Sequence, residues 1–303
     1  MYRINVLVVT YKQEKVISRA LDSILSQKQY GLNKIVICDD HSPDNNWSVI
    51  KDYERKYPQY IVAYRNERNL GIYGNFQHLV SLKGEADLYA FLAGDDAYCD
   101  GWLEAIQNCC KINCLDCSNS FCIFGDWKSV SPVGEEHIFS QSIVKKYNAL
   151  SLYIRLKLCG RSTVMSKELI SRFKPIELGK GLNLAETLFD IQRHLYSDHS
   201  YYIPIVGSIY YSEIGVSTVL TDRYKVDESL VKWQYLNDHI VKDKLDRLYV
   251  SYQINRRLFV KEKKYKYIVK ALLCRVFSIR WSIFDFSKFS SDVKGLLKMA
   301  LKK

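Results

Sequence analysis

The sequence predicts an α/β fold with a mainly parallel sheet, followed by a basic helical C-terminal region. Strand-like and helix-like patterns alternate over the first hundred residues, which is typical of right-handed crossovers between parallel strands. The charge is uneven. Residues 242–303 contain 17 Lys and Arg against five Asp and Glu, a net charge of +12, whereas residues 1–241 sum to −1. The two parts therefore need separate explanations.

The strand predictions depend on short runs of apolar and β-branched residues, as expected where a strand is buried on both faces. Four such runs occur early in the chain: Ile4–Thr10, Lys34–Cys38, Ile61–Arg65 and Leu88–Ala93. Helical spacing of apolar residues, or a polar helical pattern, is found between them at 16–25, 47–57 and 73–82. We also predict a late strand at Ile203–Tyr211 and basic helices after Lys242.

Polar residues follow three of these strands, as Thr10-Tyr11, Asp39-Asp40 and Asp95-Asp96. In parallel sheets, ligands bind beyond the carboxyl ends of the strands. The chain contains no G-x-G-x-x-G after the first strand and no G-x-x-x-x-G-K-[ST], H-E-x-x-H or G-x-S-x-G. Standard dinucleotide, P-loop, zinc-protease and serine-hydrolase sites are therefore not indicated.

Asp95-Asp96 suggests a cation site, although a solvated turn is the alternative for an acidic pair considered by itself. Two adjacent carboxylates repel each other when buried, and a divalent cation removes that conflict. Mg²⁺ and Mn²⁺ prefer carboxylate oxygens, water and substrate phosphates. The pair at the end of the fourth strand is thus a candidate site for Mn²⁺ or Mg²⁺.

Four segments together resemble the family 2 inverting glycosyltransferases. Asn5–Gln27 is similar to their opening strand, turn and helix ending Ser-Ile-Leu-x-Gln, and Cys38–Asp44 resembles their Val-Asp-Asp-Gly-Ser-Thr-Asp loop. Asn69-Leu70-Gly71 with Asn75 looks like the donor-side segment, and Leu92–Asp96 corresponds to the metal-binding aspartates. The order and spacing are those of the family, over about residues 4–105.

The resemblance implies a GT-A fold with a catalytic domain at 1–220 and a basic helical region at 221–303. Its donor half would be about 1–105 and its acceptor half about 106–220. It further implies metal-dependent, inverting transfer from a nucleotide-diphosphate sugar, most often a UDP-sugar, to a hydroxyl of a glycan or lipid-linked acceptor. Many relatives act in the synthesis of bacterial surface polysaccharides.

The resemblance also implies roles for individual residues. Thr10 and Tyr11 would line the base pocket, and Asp40 would accept a hydrogen bond from the uracil ring. Asp95 would face the ribose or the metal, and Asp96 would be the direct metal ligand that bridges to the diphosphate. The donor-side residues would be Asn69, Gly71 and Asn75. This chain departs from the family pattern at three turn positions, where Lys12, His41 and Pro43 replace the usual Asn, Gly and Thr.

An inverting transfer needs a general base to take the proton of the attacking acceptor hydroxyl. In the family this is an acidic residue at the start of a helix in the second half of the domain. Glu186 matches that position best, and Asp190, one helical turn later on the same face, is the alternative. Either could instead be an acid that only complements the helix dipole.

Five clustered cysteines, including Cys114-x-x-Cys117, raise the possibility of zinc. No second C-x-x-C follows at zinc-finger spacing. Cys110, Cys114 and Cys117 would share one face of a continuing helix, where thiols behave as small apolar groups. We therefore expect structural thiols, and the odd cysteine count favours reduced thiols in the cytoplasm.

The basic C-terminal region mixes cations with aromatic residues, which could bind nucleic acid or an anionic membrane, or form a solvated face. Given the resemblance, we expect the inner face of the plasma membrane, with Trp281 and Phe284 at the interface, and no nucleic acid. The chain would then be cytoplasmic and peripheral, because no stretch of eighteen residues is free of charge. A homo-oligomer is left open.

Two other functions are compatible with the sequence. A non-catalytic sugar-nucleotide or glycan-binding subunit could keep the same fold, although a degenerate site should have lost Asp96 or Glu186. A sugar-phosphate nucleotidyltransferase is disfavoured because no Gly-rich loop follows the first strand.

Overall fold

A computed structural model describes residues 1–140, 161–174, 186–212, 222–279 and 283–301. These residues form two compact units, the first ending at 212 and the second beginning at 222. The expected domain boundary at 220–221 lies outside the described residues. Each unit has its own buried core, and each is considered separately below.

The described part of the first unit contains one nine-stranded sheet. Strands β1 to β9 are Ile4–Thr10, Leu32–Asp39, Ile61–Arg65, Leu88–Ala93, Ala97–Tyr98, Phe121–Val130, Glu136–Phe139, Thr163–Ser166 and His199–Tyr211. Their spatial order is β3-β2-β1-β4-β8-β6-β9-β5, and β7 pairs with β6. The first four strands lie where the apolar runs predicted them, and the late strand begins four residues earlier than expected.

The two halves of the sheet differ in strand direction. Strands β3, β2, β1 and β4 are parallel to one another, as the crossovers between them require. Beyond them, β8 is antiparallel to both β4 and β6, while β9 is parallel to β6. The parallel half therefore presents the carboxyl ends of β3, β2, β1 and β4 at one edge, and those of β2, β1 and β4 carry the predicted polar residues.

Helices of the first unit cover the sheet and connect its strands. They are α1 Ile17–Leu25, α2 Asn46–Lys56, α3 Gly71–Ser81, α4 Trp102–Ile112, α5 Lys167–Ser171 and α6 Glu186–Tyr196. Helix α1 buries the apolar residues whose spacing predicted it, among them Leu21 and Ile24. These side chains join Val6 and Val8 of β1 and Trp102 of α4 in the main core. Burial of this face holds α1 beside β1.

The expected continuous helix through the cysteine cluster is wrong. Helix α4 ends at Ile112, and Cys114 has a positive φ of 49°, which a continuing right-handed helix cannot include. Cys110 is buried within α4, whereas Cys114 is exposed in the following turn. The apolar spacing of the cysteines was therefore not a helical pattern beyond Ile112.

The second unit is helical. It contains α7 Asp222–Tyr235, a π-helical turn at Leu236–Ile240, α8 Lys244–Glu262, α9 Tyr265–Phe277 and α10 Ile283–Leu301. Its buried residues include Trp233, Tyr249 and Tyr252. The side chain of Asp243 caps α8 by accepting a hydrogen bond from Asp246 N at 3.0 Å. None of the described helices is both long and apolar enough to cross a membrane.

Candidate active site

The carboxyl ends of β1, β2 and β4 bring together polar residues from three separate parts of the sequence. In the parallel register, Thr10 pairs with Asp39 and Val9 pairs with Ala93. A further hydrogen bond, from Asp40 N to Thr10 O at 3.0 Å, extends the first pairing beyond β2. The predicted polar segments therefore meet at one edge of the sheet.

Asp39 is fully buried and holds the loop that follows β2. Its carboxylate accepts hydrogen bonds from Ser42 N at 3.1 Å, Ser42 Oγ at 2.5 Å and Asn46 Nδ2 at 2.8 Å. Arg65 Nε lies 3.2 Å away and forms an ion pair with it. The Asn46 amide also donates to Thr10 Oγ1 at 3.0 Å, so the nearly buried Thr10 hydroxyl belongs to the same network.

Asp40 holds the beginning of α3. Its carboxylate oxygens accept hydrogen bonds from Asn66 Nδ2 at 2.7 Å, Leu70 N at 2.8 Å and Gly71 N at 2.9 Å. Leu70, which precedes α3, provides no side-chain cap of its own. A carboxylate at this position satisfies N–H groups that a helix leaves unpaired and complements the helix dipole. Asp40 therefore caps α3 from a neighbouring strand end.

The remaining donor-side residues join this network. Asn69 Nδ2 donates to Asp40 O at 3.2 Å, and Asn75 Nδ2 donates to Cys38 O at 3.1 Å. Asn75 Oδ1 accepts from the same Asn66 amide, at 3.0 Å. The structure thus brings Asp40, Asn69 and Asn75 together with Gly71. Tyr11 is half-buried in the turn after β1, with Lys12 Nζ 5.2 Å from its ring centroid.

Two of the unusual turn residues adopt left-handed backbone conformations, with φ of 57° at Lys12 and 58° at His41. Glycine and asparagine adopt this conformation at a lower free-energy cost than most other residues. His41 also places its Nδ1 3.0 Å from Asn66 O. The departures from the family pattern at these two positions therefore add backbone strain while the turns keep their shape.

The Asp95-Asp96 turn after β4 is almost entirely buried. Burial raises the pKa of Asp95, and Arg161 and Arg19 partly oppose that change. Burial, and to a lesser extent the neighbouring Asp95 charge, raises the pKa of Asp96 to about 7, although the Arg161 charge acts in the opposite direction. Both carboxylates of this turn are therefore shielded from the water that would stabilise their charged forms.

Arg161 and Arg19 both bring a positive charge to this turn, and Arg19 Nη2 donates to Asp95 O at 2.5 Å. Arg161 contacts the Asp96 side chain and aromatic rings. Its guanidinium forms an ion pair with Asp96 Oδ2, while Tyr211 N lies 3.4 Å from Asp96 Oδ1. The same guanidinium is 3.9 Å from the ring centroid of Tyr210 and 5.5 Å from that of Trp127. Strand β9 and Arg161 thus fix the orientation of the Asp96 side chain.

A cavity of about 200 Å³ opens beside Asp96. One wall is aromatic: Phe76 lies 4.6 Å from Phe91 and 4.0 Å from Phe189 between ring centroids. The polar part of the lining consists of Asp96, Arg161, Ser162, Thr163, Asp190, Arg193 and Ser208. The cavity therefore combines an apolar wall with two carboxylates and two guanidinium groups, as expected of a site for a polar ligand.

Helix α6 brings one of the two candidate bases to this cavity. Asp190 lines it and forms an ion pair with Arg193 at 3.1 Å. Arg193 is nearly buried and donates to Thr163 Oγ1 at 2.8 Å, which holds the pair against β8. Glu186 is the first residue of α6, in agreement with the predicted helix start, but its side chain lies outside the described residues.

Comparison with known proteins identifies the family. The model of glycosyl transferase family 2 matches residues 5–160, which is just over half of the chain. The chain belongs to glycosyl transferase family 2. This family 2 chain is 29% identical over 108 residues to the minor teichoic acid biosynthesis protein GgaB of Bacillus subtilis, a match that covers 35% of the chain and 12% of GgaB. Matches to curated relatives cover between 12% and 33% of their lengths.

Solved structures show that this family 2 chain has the GT-A fold. Staphylococcus aureus TarS 1–349, crystallised with UDP-GlcNAc, is 15% identical with a TM-score of 0.61, over 98% of this chain and 81% of TarS. The mannosyltransferase PcManGT of Pyrobaculum calidifontis, crystallised with GDP-Man and Mn²⁺, is 11% identical with a TM-score of 0.54, over 99% of this chain and 87% of PcManGT. The predicted fold class is therefore confirmed.

The carboxylate oxygens of the Asp95-Asp96 turn are suitable ligands for a divalent cation. Both carboxylates are buried with raised pKa values, so a bound cation would stabilise their charged forms. No third His, Cys, Asp or Glu joins them among the described residues. Such a cation would take its other ligands from water and phosphate oxygens, which is usual for Mg²⁺. Arg161 would have to release Asp96 to make room.

Sequence reasoning missed Asn66, Arg161 and Arg193. Asn66 is three residues before the recognised Asn69-Leu70-Gly71 segment and could have been considered with it. Arg161 is 65 residues from Asp96, and Arg193 is 30 residues from Thr163, and neither belongs to a recognised motif. Only the fold brings Arg161 to Asp96, whereas the spacing of Arg193 and Asp190, three residues apart on one helix, could have indicated their pairing.

Proposed function

We propose that this transferase moves a sugar from a nucleotide-diphosphate donor, a UDP-sugar, to a hydroxyl group of a glycan or lipid-linked acceptor with inversion of the anomeric centre. The observation that supports this best is the shared cavity of Asp96 and Asp190. A metal-dependent inverting transfer needs a cation-binding group near the leaving diphosphate and a separate base near the acceptor. One cavity in this chain presents a candidate for each.

The nucleotide half of the proposal concerns the edge formed by β1 and β2. Tyr11 would lie against the base, and the remaining acceptor capacity of Asp40 would receive the uracil N–H. A carboxylate has about four lone-pair sites, and three hydrogen bonds from the protein are present on Asp40. TarS, which shares the fold, was crystallised with UDP-GlcNAc.

The metal-binding half concerns Asp96, with Asp95 beside it. These carboxylates would hold Mn²⁺ or Mg²⁺, which when bound stabilises the negative charge that develops on the departing diphosphate. PcManGT was crystallised with Mn²⁺ as well as GDP-Man. Arg161, once released from Asp96, would remain close enough to pair with a phosphate oxygen through its planar guanidinium.

Glu186 is our first choice for the general base and Asp190 our second. The base accepts the proton of the acceptor hydroxyl while that oxygen attacks the anomeric carbon. Asp190 lines the cavity and pairs with Arg193, so its carboxylate is held where an acceptor hydroxyl could reach it. Neither Asp96 nor Glu186 has been lost from the sequence, which supports an active enzyme over a non-catalytic binding subunit.

For the acceptor, we propose a component of a bacterial surface polysaccharide. GgaB, which matches part of the chain, is described as a minor teichoic acid biosynthesis protein. Many such acceptors are linked to lipid carriers, so we also propose that the enzyme works peripherally at the cytoplasmic face of the plasma membrane. The +12 charge of residues 242–303 would attract anionic lipid.

The experiment is a screen of UDP- and GDP-sugars with the purified full chain, with and without Mn²⁺. We expect one UDP-sugar to raise the melting temperature and to be slowly hydrolysed to UDP, both only when Mn²⁺ is present. The anomeric form of the released sugar, followed by NMR at early times, reports inversion. Binding without any hydrolysis or transfer would favour the non-catalytic subunit, and an absence of binding to every nucleotide-sugar would contradict the proposal.

A further inference from the structure

Helix α9, Tyr265–Phe277, exposes an unusual number of apolar side chains. Five of them form what we call the apolar stripe, and they are between 42% and 66% exposed: Tyr265, Val269, Leu273, Val276 and Phe277. At 100° per residue these positions occupy about one third of the helix circumference. A surface helix normally turns such a face toward the core, so this helix has the reverse arrangement.

The buried face of α9 explains the reversal. It contains Ala271 and Arg275, both fully buried. Arg275 Nε lies 2.9 Å from Asp292 Oδ2 of α10, in an ion pair shielded from water. The guanidinium is also 5.1 Å from the ring centroid of Tyr249 and 5.4 Å from that of Phe289.

This ion pair fixes the rotation of α9 about its own axis. Turning the apolar stripe inward would bring Arg275 to the surface and leave Asp292 buried without that partner. Separating a buried ion pair in this way is strongly destabilising. The outward direction of the apolar stripe is therefore maintained by the core of the second unit.

Two lysines lie along one side of the apolar stripe, Lys266 just inside its edge and Lys270 just outside it. At 100° per residue, Lys266 and Lys270 fall next to Leu273 and Phe277, and both lysines are exposed. Neither forms an ion pair within the described residues, whereas the preceding Lys264 pairs with Glu262 at 3.0 Å. The sequence of α9 contains no Asp or Glu. The exposed face of α9 is thus apolar with a cationic border.

We infer that this face of α9 is the membrane-contact surface of the protein, with the apolar stripe at the headgroup–acyl boundary and Lys266 and Lys270 on anionic headgroups. The inference rests on the membrane association proposed above and names the surface responsible for it. Apolar residues beside lysines are the composition of helices that lie in the plane of a bilayer interface. Thirteen residues of helix measure about 20 Å, less than the ~30 Å hydrocarbon core, so α9 lies on the bilayer and does not span it.

A second copy of the chain is a less suitable occupant of this surface. Pairing two apolar stripes would bring two cationic borders together, and α9 provides no acidic residue to compensate them. An anionic bilayer matches both the apolar and the cationic part of the surface. Lipid phosphates, in addition, are numerous enough to pair with both lysines at once.

The first test measures co-sedimentation of the full chain with vesicles of phosphatidylglycerol and phosphatidylcholine. We expect Leu273→Ser with Phe277→Ser to weaken binding by about tenfold or more, because both side chains lose apolar burial in the interface. Both are exposed, so the fold should tolerate the change. Ile112→Ser with Val133→Ser, at two exposed apolar positions of the first unit, is the matched control and should bind normally.

The second test separates this surface from net charge. Lys266→Glu with Lys270→Glu should weaken binding by about tenfold or more, since two charges that attract anionic headgroups become charges that repel them. Lys294→Glu with Lys298→Glu removes the same charge from exposed positions of α10, and Lys28→Glu with Lys111→Glu does so in the first unit. Both controls should bind more tightly than the α9 variant.

The outcomes distinguish this inference from the proposal on which it rests. If the unmodified chain binds vesicles but all three charge variants are weakened equally, membrane association stands and α9 is not its surface. If the unmodified chain binds no vesicles, both fail. If Leu273→Ser with Phe277→Ser leaves vesicle binding intact but converts an oligomer to a monomer in analytical ultracentrifugation, the apolar stripe is an interface between copies and the inference is overturned.

Discussion

Arg161 lies between Asp96 and Tyr210: its guanidinium pairs with the Asp96 carboxylate and is 3.9 Å from the centre of the tyrosine ring. In the proposed cation site, Asp96 coordinates the metal directly. In the structure Arg161 therefore occupies the electrostatic role that a cation would have, and the two compete for one carboxylate. This relationship leads to the first prediction.

Replacing Arg161 with glutamine should tighten the binding of Mn²⁺ to the free protein. Without the guanidinium, Asp96 no longer has to exchange an ion pair for a metal bond, and a repulsive charge is removed. We expect a gain of about tenfold in affinity, equivalent to about 1.4 kcal/mol. Isothermal titration calorimetry with Mn²⁺ alone measures it. Arg172→Gln removes an arginine whose ion-pair partners are Glu168 and Asp198, and it should leave the affinity unchanged.

The fold was more predictable than this relationship. The β-branched runs, such as Ile4–Thr10, indicate buried strands, and the helices between them predict a mainly parallel sheet. Arg161 and Asp96 are 65 residues apart and meet only when β8 is inserted beside β4. The buried ion pair between Arg275 and Asp292 shows the same limit. Because of it, α9 buries a charged face and exposes its apolar face, which the helical pattern alone does not predict.

Replacing Asp96 with asparagine should lower turnover by about a hundredfold or more while leaving the fold intact, because the departing diphosphate loses its anchored cation. The amide is nearly the same size, and its burial requires no charge. Turnover is measured as UDP release at saturating donor, and folding by circular dichroism. Asp100→Asn, an exposed aspartate four residues later, is the control and should remain active. Full activity of the native chain in excess chelator would argue against the metal assignment.

Replacing Glu186 with glutamine should abolish transfer to the acceptor, because the amide cannot take the proton of the attacking hydroxyl. Nucleotide binding, measured by calorimetry, should survive. Asp190→Asn should retain part of the activity and lose the ion pair with Arg193. If Asp190→Asn is inactive and Glu186→Gln is active, the roles are reversed, and Asp190 is the base.

Replacing Lys12 with asparagine should stabilise the protein. Lys12 has a φ of 57°, and its N–H donates to Ser42 Oγ at 3.0 Å, a hydrogen bond that asparagine keeps. Asparagine accepts left-handed φ values at lower cost, so we expect the free energy of unfolding to rise by about 0.5–1 kcal/mol. Urea denaturation measures the change. Lys28→Asn, at a residue with negative φ, should give no gain.

The cap that Asp40 provides to α3 affects how variants at this position can be interpreted. The carboxylate that is expected to meet the nucleotide base also holds Leu70 N and Gly71 N, and α3 continues from there to Phe76 in the cavity wall. An exchange at Asp40 would remove base recognition and loosen a helix end at the same time. Selection on this aspartate would therefore act on both nucleotide recognition and the stability of α3. A screen of single variants would find that substitutions at Asp40 are not tolerated, without revealing which of the two properties was lost.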